Sequence, residues 1–165
     1  MAVFCYDVYM YNNAPIEYKC PICLAISGEE NGDTWIKQKD IFYTDKNITG
    51  FISSKSIKGN EGHPLIVPNV HYENIYDLPE QIAYQIFDLG KKVAFGLKQK
   101  RNCDGITILQ NNEPAGDQHA FHYHLHVIPR FNNDNFHTEL WEAKKSEPHD
   151  RIQYAELLRN YLQRP

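Results

Sequence analysis

Three histidines, His122, His124 and His126, alternate with hydrophobic residues in the last third of the chain. This alternation predicts a β-strand over residues 121–128, in which every second side chain points to the same face. Neighbouring Cβ atoms on that face would be roughly 7 Å apart. Near neutral pH an imidazole can act as a nucleophile, a proton carrier or a metal ligand. Each ring also needs partners for two nitrogens, so a purely structural role explains the row poorly, and we interpret it as a reactive or metal-binding site.

A second candidate group is the Cys-x-x-Cys pair of Cys20 and Cys23. In a reducing compartment such a pair is typical of metal or redox sites. Residues 27–32 form a polar loop and not the helix of a thioredoxin-like redox motif, which favours metal binding. Structural zinc takes four thiolate or imidazole ligands in a tetrahedron, so two histidines must come from elsewhere. Cys5 and Cys103 show no partner pattern, and we interpret both as ordinary thiols.

Four segments, in order along residues 20–131, resemble the histidine triad family. The run from His122 to Ile128 matches the pattern His-φ-His-φ-His-φ-φ, where φ is hydrophobic. The Cys-x-x-Cys pair resembles the zinc knuckle of many bacterial members. Residues 62–71 resemble the family's strand and turn that begin with Gly-His, and residues 113–118 resemble the Gly-Gln loop that leads into the triad strand.

The resemblance implies a structural zinc site with four ligands, Cys20, Cys23, His71 and His122. Zinc bound at His122 would tether and orient the strand that carries His124. His63 is a rival ligand, but the matching histidine of the family mostly supports structure.

The resemblance also implies a reaction. His124 would attack phosphorus and form a nucleotidyl-histidine, which water later cleaves. His126 would lie beside it and shape the phosphate site. Negative charge on the phosphate oxygens must meet preplaced donors, and Gln110 and Gln118 match positions where an amide contacts the α-phosphate.

The chain departs from the family pattern at three positions. Asp117 lengthens the loop between Gly116 and the triad by one residue. His119 stands where many members carry Ser or Thr, and it can also protonate a leaving group. Ser53 stands where the family has a ribose-binding acid, which weakens recognition of the ribose diol. An apolar slot for the base is still available from Phe42, Phe51 and Ile52.

These observations favour a nucleotide hydrolase or transferase that cleaves a phosphate anhydride or a phosphoramidate. Gln110 and the Pro129-Arg130 pair lean towards a diadenosine polyphosphate hydrolase. The first alternative is a nucleoside phosphoramidase, and the second is a nucleotide-binding scaffold with little turnover. A hydrolase that uses zinc-bound water is a weaker reading, because it needs an open coordination position and four good ligands would fill the site.

The remaining sequence predicts the elements that must position these groups. Strands are predicted at residues 41–43, 48–52, 65–67 and 106–109, besides the triad strand. Pro79 suits the first turn of a helix whose apolar residues recur every three to four positions, and a final helix is predicted from near residue 150 to 162. Segregated strands and helices make an α+β fold. The resemblance implies a five-stranded antiparallel sheet with a long helix packed on it, in subunits that commonly pair as homodimers.

Length and composition set outer bounds. The chain has 165 residues, of which 42% are hydrophobic, and a net charge of −4. This length suits one domain, with residues 1–19 as an aromatic-rich extension that covers an edge, 20–131 as the family-like part, and 132–165 as a C-terminal tail with a helix. The negative net charge gives no indication of a surface that binds duplex nucleic acid. No segment approaches the roughly 20 apolar residues of a membrane span, and no signal peptide is visible, so we expect a cytoplasmic protein.

Overall fold

The computed structural model describes residues 11–31 and 34–163. Its seven strands in this range are β1 (Ile41–Thr44), β2 (Ile48–Ile52), β3 (Lys55–Ser56), β4 (Pro64–Pro68), β5 (Gly105–Gln110), β6 (Leu125–Arg130) and β7 (Lys144–Lys145). Its four α-helices are α1 (Pro21–Ile26), α2 (Glu80–Arg101), α3 (Phe136–Trp141) and α4 (Pro148–Leu162). Two single 3-10 turns lie at Gln38–Asp40 and Pro114–Gly116.

Five strands form one antiparallel sheet in the order β1-β2-β4-β6-β5. The predicted α+β fold, with its five-stranded antiparallel sheet, long helix and C-terminal helix, is confirmed. Along β6 the side chains alternate between the two faces, because successive residues of a strand point to opposite sides. Leu125 and Val127 join the main core with α2, whereas His126 points to the opposite face.

Helix α2 covers one face of the sheet with a stripe of buried side chains. The buried positions of the helix are Ile86, Leu89, Gly90, Val93, Gly96 and Leu97. Gly90 lets the helix approach the sheet closely, since a Cβ there would lie 3.2 Å from Leu125 Cδ2. The helix ends at Asn102 in the left-handed conformation, after a last turn rich in Lys and Arg that suits the macrodipole.

The triad strand begins later than the alternation predicts. Strand β6 starts at Leu125, so His122 and His124 precede it. The register Ile66↔Leu125 would bring Pro68 opposite Tyr123, but proline has no N–H for the ladder. Here the Pro68 carbonyl accepts a hydrogen bond from the His122 ring, and the Tyr123 N–H donates to the carbonyl of Tyr72.

The predicted end of the triad strand at residue 128, before Pro129, is wrong. Pro129 lies inside β6 and is paired with Ile106 of β5. The pairing of β6 with β4 stops at His126, so the strand has only β5 as a neighbour at Pro129. A proline is tolerated at such a local edge, because no ladder hydrogen bond is lost on the free side.

A second, smaller group of strands and helices lies outside the five-stranded sheet, and the sequence did not predict it. Strands β3 and β7 form a two-stranded ribbon, preceded by α3. A buried ion pair holds this region, since Arg151 Nη2 lies 2.7 Å from Asp40 Oδ2. The same guanidinium donates to the carbonyls of Trp35 and Ser146. One buried side chain of α4 therefore joins the segment before β1 to the ribbon.

The N-terminal segment is tied to the rest of the protein through Glu73. This buried carboxylate accepts hydrogen bonds from the backbone N–H groups of Asn13 and Ala14. The expected covering role of the aromatic residues before Tyr11, and the side chain of Cys5, lie outside the described residues. Within the described ranges, no helix is long and apolar enough to cross a membrane.

Candidate functional site

A cavity of about 1040 Å³ opens on the sheet face opposite α2. The sheet contributes Leu65, Leu109 and His126 to its lining, and the segment before β6 contributes His119 and His124. Other walls come from residues outside the sheet, in the N-terminal segment, the ribbon and α3. The cavity therefore brings two of the three triad histidines together with the loop that precedes them.

The His124 side chain has a defined tautomer. Its Nδ1 lies 2.7 Å from the carbonyl oxygen of His122. A carbonyl only accepts, so Nδ1 must carry the hydrogen, and Nε2 of the neutral ring keeps its lone pair. Burial lowers the pKa of His124, which favours this neutral form near pH 7. The ring thus has the properties of a held nucleophile with one free nitrogen.

Two further imidazoles adjoin His124. The His126 ring centroid lies 5.0 Å from that of His124, and the His63 ring stacks on His126 at 5.4 Å. Burial lowers the pKa of His63 to about 4 and holds that of His126 well below its ordinary value. The Nδ1 atoms of both rings are buried and have no hydrogen bond partner within the described residues. Three imidazoles therefore follow one another in the cavity wall, His124 next to His126 and His126 next to His63.

The four predicted metal ligands converge. The sulfur and ring nitrogen atoms of Cys20, Cys23, His71 and His122 all lie within 4.8 Å of one another. The two sulfurs come from one turn, because Cys20 caps α1 and its sulfur accepts from the Cys23 N–H. His122 Nε2 donates to the Pro68 carbonyl at 2.9 Å, which leaves Nδ1 with its lone pair facing the thiols.

The spacing of this cluster fits tetrahedral zinc. His122 Nδ1 lies 3.4 Å from Cys20 Sγ and 3.5 Å from Cys23 Sγ, and His71 Nδ1 lies 3.4 Å from Cys23 Sγ. With Zn–S of about 2.3 Å and Zn–N of about 2.0–2.1 Å, a tetrahedron has S···N edges of about 3.5 Å. The hydrogen bond from Cys23 lowers the pKa of Cys20, and the same bond raises the pKa of Cys23. The donor set and the spacing both fit a closed structural site.

Gln110 and Gln118, whose side-chain amides the sequence predicted to contact phosphate, do not line the cavity. The Gln118 side chain is buried, accepts from the Glu113 N–H and donates to the Glu73 carbonyl. It locks the loop and does not line the cavity. The Gln110 amide is bonded to Asn111 and Asn112 and is also absent from the lining. The expected contact of these two glutamines with phosphate is therefore not supported by their geometry.

Asn111 lies where the glutamines were expected. Its side chain lines the cavity, and its buried Oδ1 has no hydrogen bond partner among the described residues. Its amide nitrogen donates to the Gly116 carbonyl, which fixes its orientation. The sequence signal was present, because Asn111 directly follows Gln110 in the same loop. Side-chain alternation at the end of β5 then decides which of the two neighbours faces the cavity.

Asp117, His119 and Ser53 all line the cavity, as their sequence positions suggested. Asp117 has a φ of 65° in the left-handed region, a conformation that glycine adopts at less cost. The Ser53 hydroxyl accepts from the Lys55 N–H and so shapes the turn before the ribbon.

Phe42 does not form a base slot. It is buried in the main core, beneath Gly50, where a Cβ would lie only 2.6 Å from the Phe42 ring. Phe51 and Ile52 are also buried and do not line the cavity. The sheet interior takes these side chains because all five residues of β2 are covered on both faces.

Comparison with known proteins gives a consistent family. The HIT domain model matches residues 36–133, which is more than half of the chain. The protein Hit of Bacillus subtilis is 30% identical over 101 residues, covering 61% of this chain and 68% of the relative. The crystal structure of a zinc-bound histidine triad family protein from Mycobacterium smegmatis has a TM-score of 0.68 at 27% identity, covering 87% of this chain and 93% of that one.

Two other similar proteins have names that state an activity. Adenosine 5′-monophosphoramidase HNT1 of Saccharomyces cerevisiae is 29% identical over 87 residues, covering 53% of this chain and 52% of its own length. The diadenosine triphosphate hydrolase of Plasmodium falciparum has a TM-score of 0.66 at 20% identity, covering 92% of this chain and 88% of that one. The second likeness concerns the fold alone.

Proposed function

This chain belongs to the HIT domain family, and on that premise we propose that it is a nucleotide hydrolase that works through a nucleotidyl-His124 intermediate. The observation that carries the proposal is the hydrogen bond from His124 Nδ1 to the His122 carbonyl. This bond leaves Nε2 unprotonated in a ring whose pKa is lowered by burial. A neutral, oriented imidazole that lines a cavity is the group that attack on phosphorus requires.

The reaction has two displacements. The Nε2 lone pair of His124 forms a bond to the α-phosphorus while the bond from phosphorus to the leaving group breaks. The leaving group takes a proton, for which His119 is the candidate donor in the cavity wall. Water then attacks the phosphorus and gives a proton back to His119, while the P–N bond breaks, its electron pair returns to the imidazole, and a nucleoside monophosphate is released.

Charge on the phosphate oxygens meets a set of polar side chains in this cavity. We assign the phosphate site to His126, with His63 behind it and Asn111 beside it. Both histidines line the cavity, and a neutral imidazole can donate one hydrogen bond to a phosphate oxygen or to its water shell. Ser53, in the same lining, stays a candidate for the ribose hydroxyls.

Zinc belongs to the proposal as a structural ion. Cys20, Cys23, His71 and His122 would hold it, and its Lewis acidity would serve only to fix the four side chains. The His122 backbone carbonyl is the acceptor for His124, so an anchored His122 also anchors the nucleophile. A closed four-ligand set gives no place for a reactive water, which argues against a zinc-water hydrolase.

The leading substrate class is a diadenosine polyphosphate, and the alternative is a nucleoside phosphoramidate, the activity named for the yeast relative. The large cavity favours the first, because ligand pockets of roughly 300–1,000 Å³ already hold drug-sized molecules and this one has about 1040 Å³. The test is a panel of diadenosine polyphosphates, adenosine phosphoramidate and nucleotide sugars, with the released monophosphate measured. Turnover should be accompanied by a quench-trapped adenylyl adduct on His124. If nucleotides bind and no substrate turns over, the protein is a nucleotide-binding scaffold.

A homodimer in the cytoplasm completes the proposal. Strand β5 lies at one edge of the sheet and exposes Ile108, and α2 exposes Phe87. An open strand edge and exposed apolar side chains both suit pairing with a second copy of the chain. Light scattering of the purified protein should give twice the monomer mass. A monomer at all concentrations would contradict the proposed homodimer.

A further inference from the structure

The outer part of the cavity has walls that the HIT domain match does not include. Trp35 lies just before the matched residues, and Trp141 lies beyond them in α3. Both line the cavity that contains His124 and His126. Trp35 is 43% exposed and Trp141 is 70% exposed, so much of each ring surface is free to contact a ligand. Aromatic rings with free surface stack on nucleobases with little dependence on which base is present.

Positive charge adjoins these rings. Lys145 Nζ lies 4.8 Å from the centroid of the Trp35 ring. Lys145 is directly paired with Lys55 in the antiparallel ribbon, and Lys55 lines the cavity. Directly opposite residues of such a pair have their side chains on the same face. The ribbon therefore presents two lysine side chains on one face, and the ammonium of Lys145 lies next to Trp35.

The two facing lysines form a site that suits an anion. Like charges directly opposite one another destabilise an antiparallel pair. A phosphate chain between the two lysines would convert the repulsion into two attractive contacts. Glu17 and Asp117 also line the cavity, but they belong to the N-terminal segment and the Gln118 loop, outside the ribbon.

The rings and the ribbon are held in place before any ligand arrives. The Trp35 carbonyl accepts a 2.8 Å hydrogen bond from Arg151, whose side chain is buried and ion-paired with Asp40. The ribbon is fixed by Ser146, whose N–H donates to the Ser54 carbonyl. Preorganised groups bind a ligand with less loss of conformational freedom.

We propose that Trp35, Trp141, Lys55 and Lys145 form a subsite for the departing nucleotide of a dinucleoside polyphosphate, with the rings stacking on its base and the lysines contacting its phosphates. The proposal rests on the proposed hydrolase function and names its substrate class. In this proposal the ribbon and α3 give the protein its preference for dinucleotides over substrates with a small leaving group.

The first test uses tryptophan fluorescence, because the chain has only two tryptophans and both belong to the subsite. His124→Ala prevents turnover, and in that background Trp35→Phe or Trp141→Phe leaves a single reporter. Diadenosine tetraphosphate should quench each reporter, whereas adenosine monophosphate at saturation should quench each at most half as much. Equal quenching by the two ligands, or none by the dinucleotide, would overturn the subsite.

The second test uses turnover. In Trp141→Ala, the ratio of kcat/KM for diadenosine tetraphosphate to kcat/KM for adenosine phosphoramidate should fall at least ten-fold. Lys145→Met should lower the same ratio and weaken its dependence on salt. Tyr84→Ala, which removes a similarly exposed aromatic ring from α2, outside the cavity lining, should leave the ratio unchanged. Equal losses on both substrates in Trp141→Ala contradict the subsite.

The two tests separate the subsite from the reaction. Selective quenching by the dinucleotide without turnover of any substrate would retain the subsite and remove the hydrolase. Turnover through His124 with an unchanged substrate ratio in Trp141→Ala would retain the hydrolase and remove the subsite.

Discussion

The ring of His124 donates a hydrogen bond through Nδ1 to the backbone carbonyl of His122, at 2.7 Å. His122 in turn donates from Nε2 to the Pro68 carbonyl and turns Nδ1 towards two cysteines. One short segment thus joins a candidate metal ligand to a candidate nucleophile. The link has a structural cause. Residues 122–124 precede β6 and take no part in the sheet, so the His122 carbonyl can accept a hydrogen bond from a side chain.

Replacing the nucleophile should abolish turnover. His124→Ala should lower kcat by at least about 1000-fold, or about 4 kcal/mol of barrier, because it removes the attacking atom. His126→Ala, which removes a phosphate contact, should cost about 100-fold. Steady-state kinetics and an intermediate trap on each variant measure both effects. Wild-type turnover in His124→Ala would exclude the histidine mechanism.

Zinc should support the fold before it supports activity. The purified protein should contain about one zinc per chain, and a chelator should lower its Tm, since metal binding is linked to folding. Cys20→Ser should lose zinc and stability, with residual activity in the fraction that stays folded. Cys103→Ser changes a buried cysteine outside the cluster and should keep its zinc. A protein expressed in zinc-replete medium without zinc by elemental analysis would refute the site.

Gln118 and Asn111 should respond differently to substitution. Gln118→Ala leaves the Glu113 N–H and the Glu73 carbonyl without their partner and should lower the free energy of unfolding by about 1–3 kcal/mol. Asn111 faces the cavity, so Asn111→Ala should raise KM or lower kcat with a smaller loss of stability. Chemical denaturation and kinetics of both variants make the comparison. A stable Gln118→Ala with lost activity would restore the predicted phosphate contact.

Acid should destabilise the protein partly through His63. Burial lowers its pKa from 6.5 to about 4. Between these two pH values His63 is protonated in the unfolded chain and neutral in the folded chain. The stability contributed by His63 is complete above pH 6.5 and falls as the pH decreases towards 4. At pH 5 the loss should be about 2 kcal/mol relative to pH 7. Urea unfolding of wild type and His63→Gln between pH 7 and 5 measures it, and equal slopes in both would contradict the assignment.

Local patterns predicted most of the elements, because each strand or long helix carries its own periodicity. The stripe of α2 and the apolar runs of β2, β4 and β5 were assigned close to their observed bounds. The predicted triad strand begins four residues too early, since alternation alone does not show that Pro68 lies opposite Tyr123 and interrupts the ladder. The ribbon of β3 and β7 was missed, because two-residue strands have no periodicity to read.

The sequence by itself determined the kinds of chemistry in this protein, through a histidine triad and a Cys-x-x-Cys pair that few other roles explain. Only the tertiary structure decided which polar groups face the cavity. It turned Asn111 inwards, committed Gln118 to backbone partners and buried Phe42 in the core. The physical reason is that side-chain direction depends on strand register and on loop hydrogen bonds made with residues distant in the chain. The motif specifies residue types, and long-range packing specifies where their atoms point.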